Sequence, residues 1–517
     1  MLGEAVRNVV IVGGGTAGWL TAAVVAAEHC TMPGSVLQVT VVESPSVPAI
    51  GVGEGTWPSI RDTLRRIGVS ENEFLRECDA SFKQGSRFDR WVTGEPDDHY
   101  YHPFGLPHGF TEADLARGWL ARHRQVPYAA LVSVQPHLCQ RGKAPKQAAT
   151  PEFAAVANYA YHLDAVKFAT FLRRHCVERL RVRHVPDHVM EVRRKAGGDV
   201  ASLQLKDRGE LAGDLFVDCT GMQALLIGRE LGVAFQSRRD VLFNDTALAM
   251  QVPYREPDEE IGSQTTSTAQ ANGWIWDIGL PTRRGVGYVY SSAHTEDDAA
   301  LSGLHAYLRA TNAPTDIPDA RRISFDPGYR THFWERNCVA IGLSAGFIEP
   351  LEASAIALVE LSAAMLSDDM PATREEMDVV ARRFNDAFMY RWERVIDFLK
   401  LHYVLSRRSD TAYWRDNARA ESIPERLHEL LALWRHRSPT RHDFPRVEEI
   451  FPSASYHYIL YGMGFEPTSS ETRRSAVPEL AEPYFHETAQ MARRMVSALP
   501  GNRELLAHVG QQGFPRI

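Results

Sequence analysis

Disulfide chemistry is missing from this chain. Six cysteines (Cys30, Cys78, Cys139, Cys176, Cys219 and Cys338) lie scattered over 517 residues with no CxxC pair. That pattern argues against a disulfide framework and against a zinc knuckle. The N-terminus has no basic stretch followed by an apolar run and a cleavage site. Both features point to a reducing, cytoplasmic setting. Positive charge is also in short supply. With 57 Lys and Arg against 65 Asp and Glu, the formal charge is −8, which argues against nucleic acid or an anionic membrane as a partner. No run of like charges forms an interaction tail, and no repeat or low-complexity segment occurs. The uncharged stretch 9–27 approaches the roughly 20 residues of a membrane span, but three successive glycines, Gly13 to Gly15, interrupt it. A strand, a turn and a buried helix explain it better. What remains is an ordinary globular composition, 44% hydrophobic and 24% charged, in a chain long enough for roughly two to three domains.

The N-terminal stretch reads as a βαβ unit. Residues 8–12 form a β-branched run, 16–29 an Ala-rich helix, and QVTVVE a second strand ending at Glu43. Between the first strand and the helix lies Gly13-x-Gly15-x-x-Gly18. The glycines permit a tight turn and close approach of a pyrophosphate, and the helix N-terminus presents free N–H groups to it. Glu43 is placed to accept hydrogen bonds from ribose hydroxyls. No second glycine fingerprint and no nicotinamide site is visible. Two later strand–turn elements, FVDCTG and IGLSAGFIEPLEASAI, fit completion of a single FAD site, with the flavin arriving already reduced.

Further along, GVGEGTWPS precedes helices expected at 60–66 and 71–78, and 94–115 reads as a loop rich in aromatics, His, Pro and Gly. A helix is expected at 163–178 and strands at 181–185, 189–193, 200–205 and 215–220. A buried strand is expected at 338–342 and a helix at 354–366. From 374 onward the pattern is mainly helical, with loops at 438–457.

GGGTAGW, GVGEGT, the lysine of FKQG, GWIWDI and PLEASAI occur in an order and spacing that resemble the flavin-dependent tryptophan halogenases, over residues 8 to about 464. The resemblance implies an α/β fold: an FAD-binding Rossmann-type lobe with mixed sheets plus a mainly helical C-terminal lobe. The FAD lobe would span 1–230 with 325–372, the substrate-side sheet and tunnel wall 231–324, and the helical lobe 373–517. The implied cofactor contacts are Gly13, Gly15, Thr16, Ala17, Gly18, Glu43, Ala49, Gly53, Glu54, Val189, Leu343 and Ile356. The implied chemistry is oxidation of chloride or bromide to hypohalous acid by oxygen and reduced FAD, which a separate NAD(P)H-dependent flavin reductase supplies. The acid then travels through a tunnel to an aromatic substrate. A homodimer is compatible with this reading.

By the same resemblance, Lys83 meets the hypohalous acid, either as a neutral amine that accepts the halogen or as an ammonium that polarises it. Taken alone, Lys83 reads better as a surface lysine capping a helix, and only the accompanying motifs reverse that reading. Glu352 matches the family carboxylate near the lysine; taken alone, it is an acid at a helix start. Ser354 and Ala355 match the positions whose backbone N–H groups hold halide. Trp274 and Trp276 match the wall between flavin and substrate, and otherwise read as two core residues at strand spacing. Gly279 and Leu280 separate that run from Pro281, where family members have proline directly. His102 and Phe104 match residues that sandwich an indole ring. His99, His102 and His108 lack ligand pairing at helical spacing, so no metal is expected. SYHYILYGMG replaces a Ser-Trp element of the family. Free tryptophan, indole, another indole metabolite and a peptide tryptophan therefore stay open as substrates. Two other classes remain: an FAD-dependent aromatic monooxygenase and a non-catalytic flavin-binding protein.

Overall fold

The computed structural model describes residues 4–46, 53–468 and 477–516. Ala49 lies outside the described residues. The N-terminal strand Asn8–Val12 sits near the middle of a six-stranded sheet. It pairs in parallel with Gln38–Glu43 on one side and Leu215–Asp218 on the other. Beyond these lie Arg183–Pro186 and, on the far side, Cys338–Ala340 with the short antiparallel Trp334–Glu335. Val9 to Val12 are all buried, as a parallel strand covered on both faces requires. Helix Thr16–His29 covers one face, packed between helices Ala165–Arg179 and Ser354–Asp368.

A seven-stranded sheet brings distant chemistry together. Its order is Arg321–Ser324, Thr246–Pro253, Arg283–Tyr290, Gly273–Gly279, Thr265–Gln270, Gly85–Asp89 and His99–Pro103. The last of these corrects the loop expected at 94–115. HYYHP is aromatic and β-prone, and it pairs antiparallel with Gly85–Asp89, placing His102 opposite Ser86. Its proline ends an edge strand, where a missing N–H costs nothing.

A small antiparallel sheet of Gly53–Gly55, Ala160–Asp164 and Ser81–Lys83 links the second glycine loop to the lysine. Here the helix expected from 163 begins later, at Ala165. Asp164 ends the strand and caps the helix by accepting from the N–H groups of Val166 and Lys167, both at 3.0 Å. Val189–Arg194 belongs to a separate sheet with Val200–Leu205 and Gly209–Ala212.

The C-terminal third is helical. Helix Arg374–Val404 runs for 31 residues, starting from Thr373, whose side chain accepts from the Glu376 N–H. Its final turns, Val395 to Tyr403, are buried on every side, so the helix end is threaded through the core. A second correction falls here. Part of the loop expected at 438–457 is the start of helix Ser453–Gly462, which follows Pro452.

Candidate active site

Lys83 ends the strand Ser81–Lys83 and is 1% exposed. Strand register puts Ser81 opposite His162 and Lys83 opposite Ala160, so the lysine runs along the same face of the small sheet as His162. Gly55, also opposite His162, leaves the room its side chain occupies. A β-carbon built on Gly55 would lie 3.0 Å from Lys83 Nζ and 3.3 Å from Ala353 Cβ. The ammonium therefore stands at the point where the second glycine loop meets the turn 350–354. It also sits 5.2 Å from the centre of the Phe104 ring. No hydrogen bond to Nζ forms among the described residues. Burial lowers the Lys83 pKa from its ordinary value to about 8, against the opposing pull of the Glu352 carboxylate.

Glu352 is buried in a strained turn. Its φ of 65° and the 55° of Ala353 put two successive non-glycine residues in the left-handed region. Each such residue costs on the order of 1–3 kcal/mol and persists only where surrounding contacts fix it. Trp57 Nε1 donates to the Glu352 carbonyl at 2.7 Å, and the Ala353 N–H donates to Pro350 O at 2.9 Å. The side chain meets two imidazoles. His102 Nδ1 lies 2.8 Å and His402 Nε2 3.4 Å from Oε1. The Tyr100 hydroxyl lies 2.7 Å from His402 Nδ1; donating there, it leaves the Nε2–H to face Glu352. Burial alone would raise the Glu352 carboxyl, but the two imidazoles overcome it and hold the group well below the usual carboxylate range.

His402 did not emerge from the sequence. In IDFLKLHYV it reads as one core residue of a buried helix, and only the fold shows which way it points. His99 and His108 turn elsewhere, to Asp97 O and to Glu487. Among the described residues, no group of three or more His, Cys, Asp or Glu side chains could hold a metal. Phe104 is pinned through its backbone. Its N–H donates to Gln84 O at 3.2 Å, and its carbonyl accepts from Asn158 Nδ2 at 2.9 Å.

From this cluster a largely apolar cavity extends to the first βα turn. Thr16, Ala17, Gly53, Glu54, Leu343 and Ile356 line it, together with Trp276, Ser354 and Ala355. The residues fit FAD. Gly13 has φ +117°, and any side chain at Gly13 or Gly18 would strike backbone, whereas a β-carbon on Gly15 would meet nothing within 4 Å. The turn is thus closed on itself and open outward, as a pyrophosphate cradle requires. Gly342, at φ +79°, lets the later turn reach within 2.7 Å of Ala17, measured from a built β-carbon. Glu43 ends its strand with its carboxylate against the Gly14 backbone and 2.8 Å from His184. Val189 stands apart from the cavity, in the apolar cluster with Val42 and Val185. Burial raises the Glu54 carboxyl to about 7. Ser354 and Ala355 open helix Ser354–Asp368, whose first N–H groups lack intrahelical partners.

The double-tryptophan strand is split in role. Trp276 faces the cavity and lies across Gly287, where any side chain would collide with its ring. Trp274 is fully buried behind it, ring centres 6.4 Å apart, and its N–H donates to Glu349 Oε2 at 2.7 Å. Sequence placed both indoles in the wall; in the fold, Trp276 is the one that lines the cavity.

The tryptophan halogenase family pattern matches residues 8–479. Tryptophan 6-halogenase SttH of Streptomyces toxytricini is 34% identical over 530 residues, covering 98% of each chain. A tryptophan halogenase structure from Shewanella frigidimarina NCIMB 400 superposes with a TM-score of 0.94 at 47% identity, covering 99% of both chains. BrvH, a flavin-dependent halogenase from Brevundimonas sp. BAL3, superposes at 0.86 with 36% identity, over 98% of this chain and 99% of its own. The protein described here belongs to the tryptophan halogenase family of flavin-dependent enzymes.

Proposed function

We propose that this halogenase acts on an indole-type aromatic at Lys83 and Glu352, using chloride or bromide and FAD reduced by a separate NAD(P)H-dependent reductase in the cytoplasm. The observation that carries the reading is the buried Lys83 ammonium, set against Gly55 and Ala353, both of which line the flavin-side cavity. Bound FAD would supply the oxygen-activating chemistry that turns halide into hypohalous acid. The Gly13–Gly18 turn, Glu43 and the 342–343 turn would hold the cofactor. The backbone N–H groups of Ser354 and Ala355 would hold the halide, as helix N-termini do for anions. Trp276 would keep the aromatic substrate from the cofactor.

At the far end Lys83 acts as an ammonium. It hydrogen-bonds the oxygen of hypohalous acid, which makes the halogen more electrophilic, and passes that oxygen a proton as the halogen–oxygen bond breaks, so that water leaves and Lys83 is left as the neutral amine. The ring carbon takes the halogen and becomes a cation, which the ionised Glu352 stabilises. Glu352 is a weak base in this setting, but a protonated arene is acidic enough to surrender its proton to it. His102 and Phe104 would flank the ring. On this reading the segments 1–230 with 325–372, 231–324 and 373–517 serve as cofactor lobe, wall and helical lobe, with strands Gly85–Asp89 and His99–Pro103 of the first segment joining the wall sheet.

The test is product mass after incubation with FAD, reductase, NADH, oxygen, bromide and indole. Gain of one bromine supports the reading; gain of one oxygen on the indole would favour a hydroxylase; peroxide alone would contradict turnover on arenes.

A further inference from the structure

The residues leading into the 350–354 turn include a buried carboxylate that no step above uses. Glu349 is 1% exposed and borders the cavity next to Pro350. Its Oε2 receives hydrogen bonds from three separate parts of the chain. Trp274 Nε1–H donates at 2.7 Å, the Asn244 amide at 2.6 Å and the Tyr403 hydroxyl at 2.7 Å. Asn244 Nδ2 is also 3.0 Å from the Tyr403 hydroxyl, and its Oδ1 accepts from the Tyr413 hydroxyl at 3.0 Å. Lys400, one turn before Tyr403, is buried as well and donates to Asn417 Oδ1 at 2.9 Å. Glu349 Oε1 has no hydrogen-bond partner among the described residues.

An apolar side chain would fill this space without gathering donors. Three donors on one oxygen hold their three elements in register, because losing the acceptor leaves each buried N–H or O–H unpaired. One of those elements is the double-tryptophan strand. Another is the end of the long helix, where His402 precedes Tyr403 and reaches Glu352. Glu349 itself stands three residues before Glu352 and five before Ser354. One side chain thus ties the wall, the helix end and the catalytic turn together.

We propose that Glu349 is a positioning residue: it locks the tryptophan wall to the turn carrying Glu352, so that hypohalous acid reaches Lys83 instead of escaping to solvent. The inference rests on the halogenase reading above. Its signature is a leak, not merely a slower enzyme.

The experiment uses the full-length enzyme with FAD, reductase, NADH, oxygen, bromide and indole, plus a water-soluble 1,3-diketone that traps free hypobromous acid. The quantity read is brominated trap relative to brominated indole. Glu349→Ala is expected to raise this ratio at least about fivefold, the equivalent of one net hydrogen bond. Glu349→Gln, which keeps an acceptor oxygen, should bring it back toward wild type. Tyr403→Phe, which removes a single donor, should raise it about twofold. If Glu349→Ala does not fold, Tyr403→Phe decides. A wild-type ratio in the variants, even with slower turnover, overturns the inference and leaves the halogenase reading standing. Wild-type enzyme that brominates neither compound overturns the halogenase reading, and this inference with it.

Discussion

Glu352 carries opposing demands. Burial favours its neutral form, and its backbone sits in a region that side chains avoid, yet His102 and His402 keep it ionised. Such a carboxylate remains charged across the working pH range, so its own titration gives the rate no acid limb near neutrality. Replacing it with Gln keeps the shape and removes the charge. Glu352→Gln should therefore slow halogenation by at least about tenfold, as loss of a base or stabilising charge does; an unchanged single-turnover rate would reduce Glu352 to a turn-forming acid. Lys83 titrates instead. With a pKa of about 8, it is roughly nine-tenths protonated at pH 7. A lysine is charged below its pKa, so the arene halogenation step should lose rate as pH rises through about 8. A rate that climbs through the same interval would assign the chemistry to the neutral amine.

Packing between elements sets where the wall stands. Trp276 lies flat across the Arg283–Tyr290 strand only because Gly287, its cross-strand partner, has no side chain. Gly287→Ala should push the indole out of place and lower halogenated product by about tenfold or more, since small displacements near a reaction path are costly. Titration of the isolated variant with oxidised FAD would show whether the displaced ring also blocks the cofactor. A second contact between elements makes a stability prediction. Glu360, on helix Ser354–Asp368, is buried against helix Ile60–Arg66 and accepts from Thr63 Oγ1 at 2.6 Å and Ser59 Oγ at 3.4 Å. Burial raises its pKa from 4.5 to about 8. The folded state therefore holds a proton that the unfolded state releases, and stability falls as pH rises from about 4.5 to 8. Glu360→Gln removes that dependence. Its Tm should match wild type near pH 5 and exceed it by about 2–4 °C at pH 8. Parallel Tm curves for the two proteins would contradict the assignment.

Across the chain, what could be read in advance follows from how local each signal is. The first βα turn was legible because its glycines answer to backbone geometry within six residues: Gly13 needs a positive φ, and Gly18 must touch the Gly13 backbone. The order of PLEASAI, FKQG and GWIWDI was legible as a resemblance, although nothing in their spacing says that Lys83 and Ala353 converge at Gly55. That convergence needs strand register. The strand His99–Pro103 was hidden because its histidines and proline resemble loop composition, and an edge position was required to tolerate them. His402 and Glu349 were hidden for a different reason. Each sits in an apolar run where a polar residue looks incidental, and its partners are 50 to 302 residues away in the chain. Helix Ser453–Gly462 was obscured by the proline before it, which reads as a breaker when it is in fact the start.

Delivery of the halogen by Lys83 is tested most directly by following two outputs of Lys83→Ala side by side, flavin reoxidation and brominated indole. Reoxidation should continue at close to the wild-type rate while brominated product disappears. Brominated indole formed by Lys83→Ala at the wild-type rate would contradict delivery by Lys83.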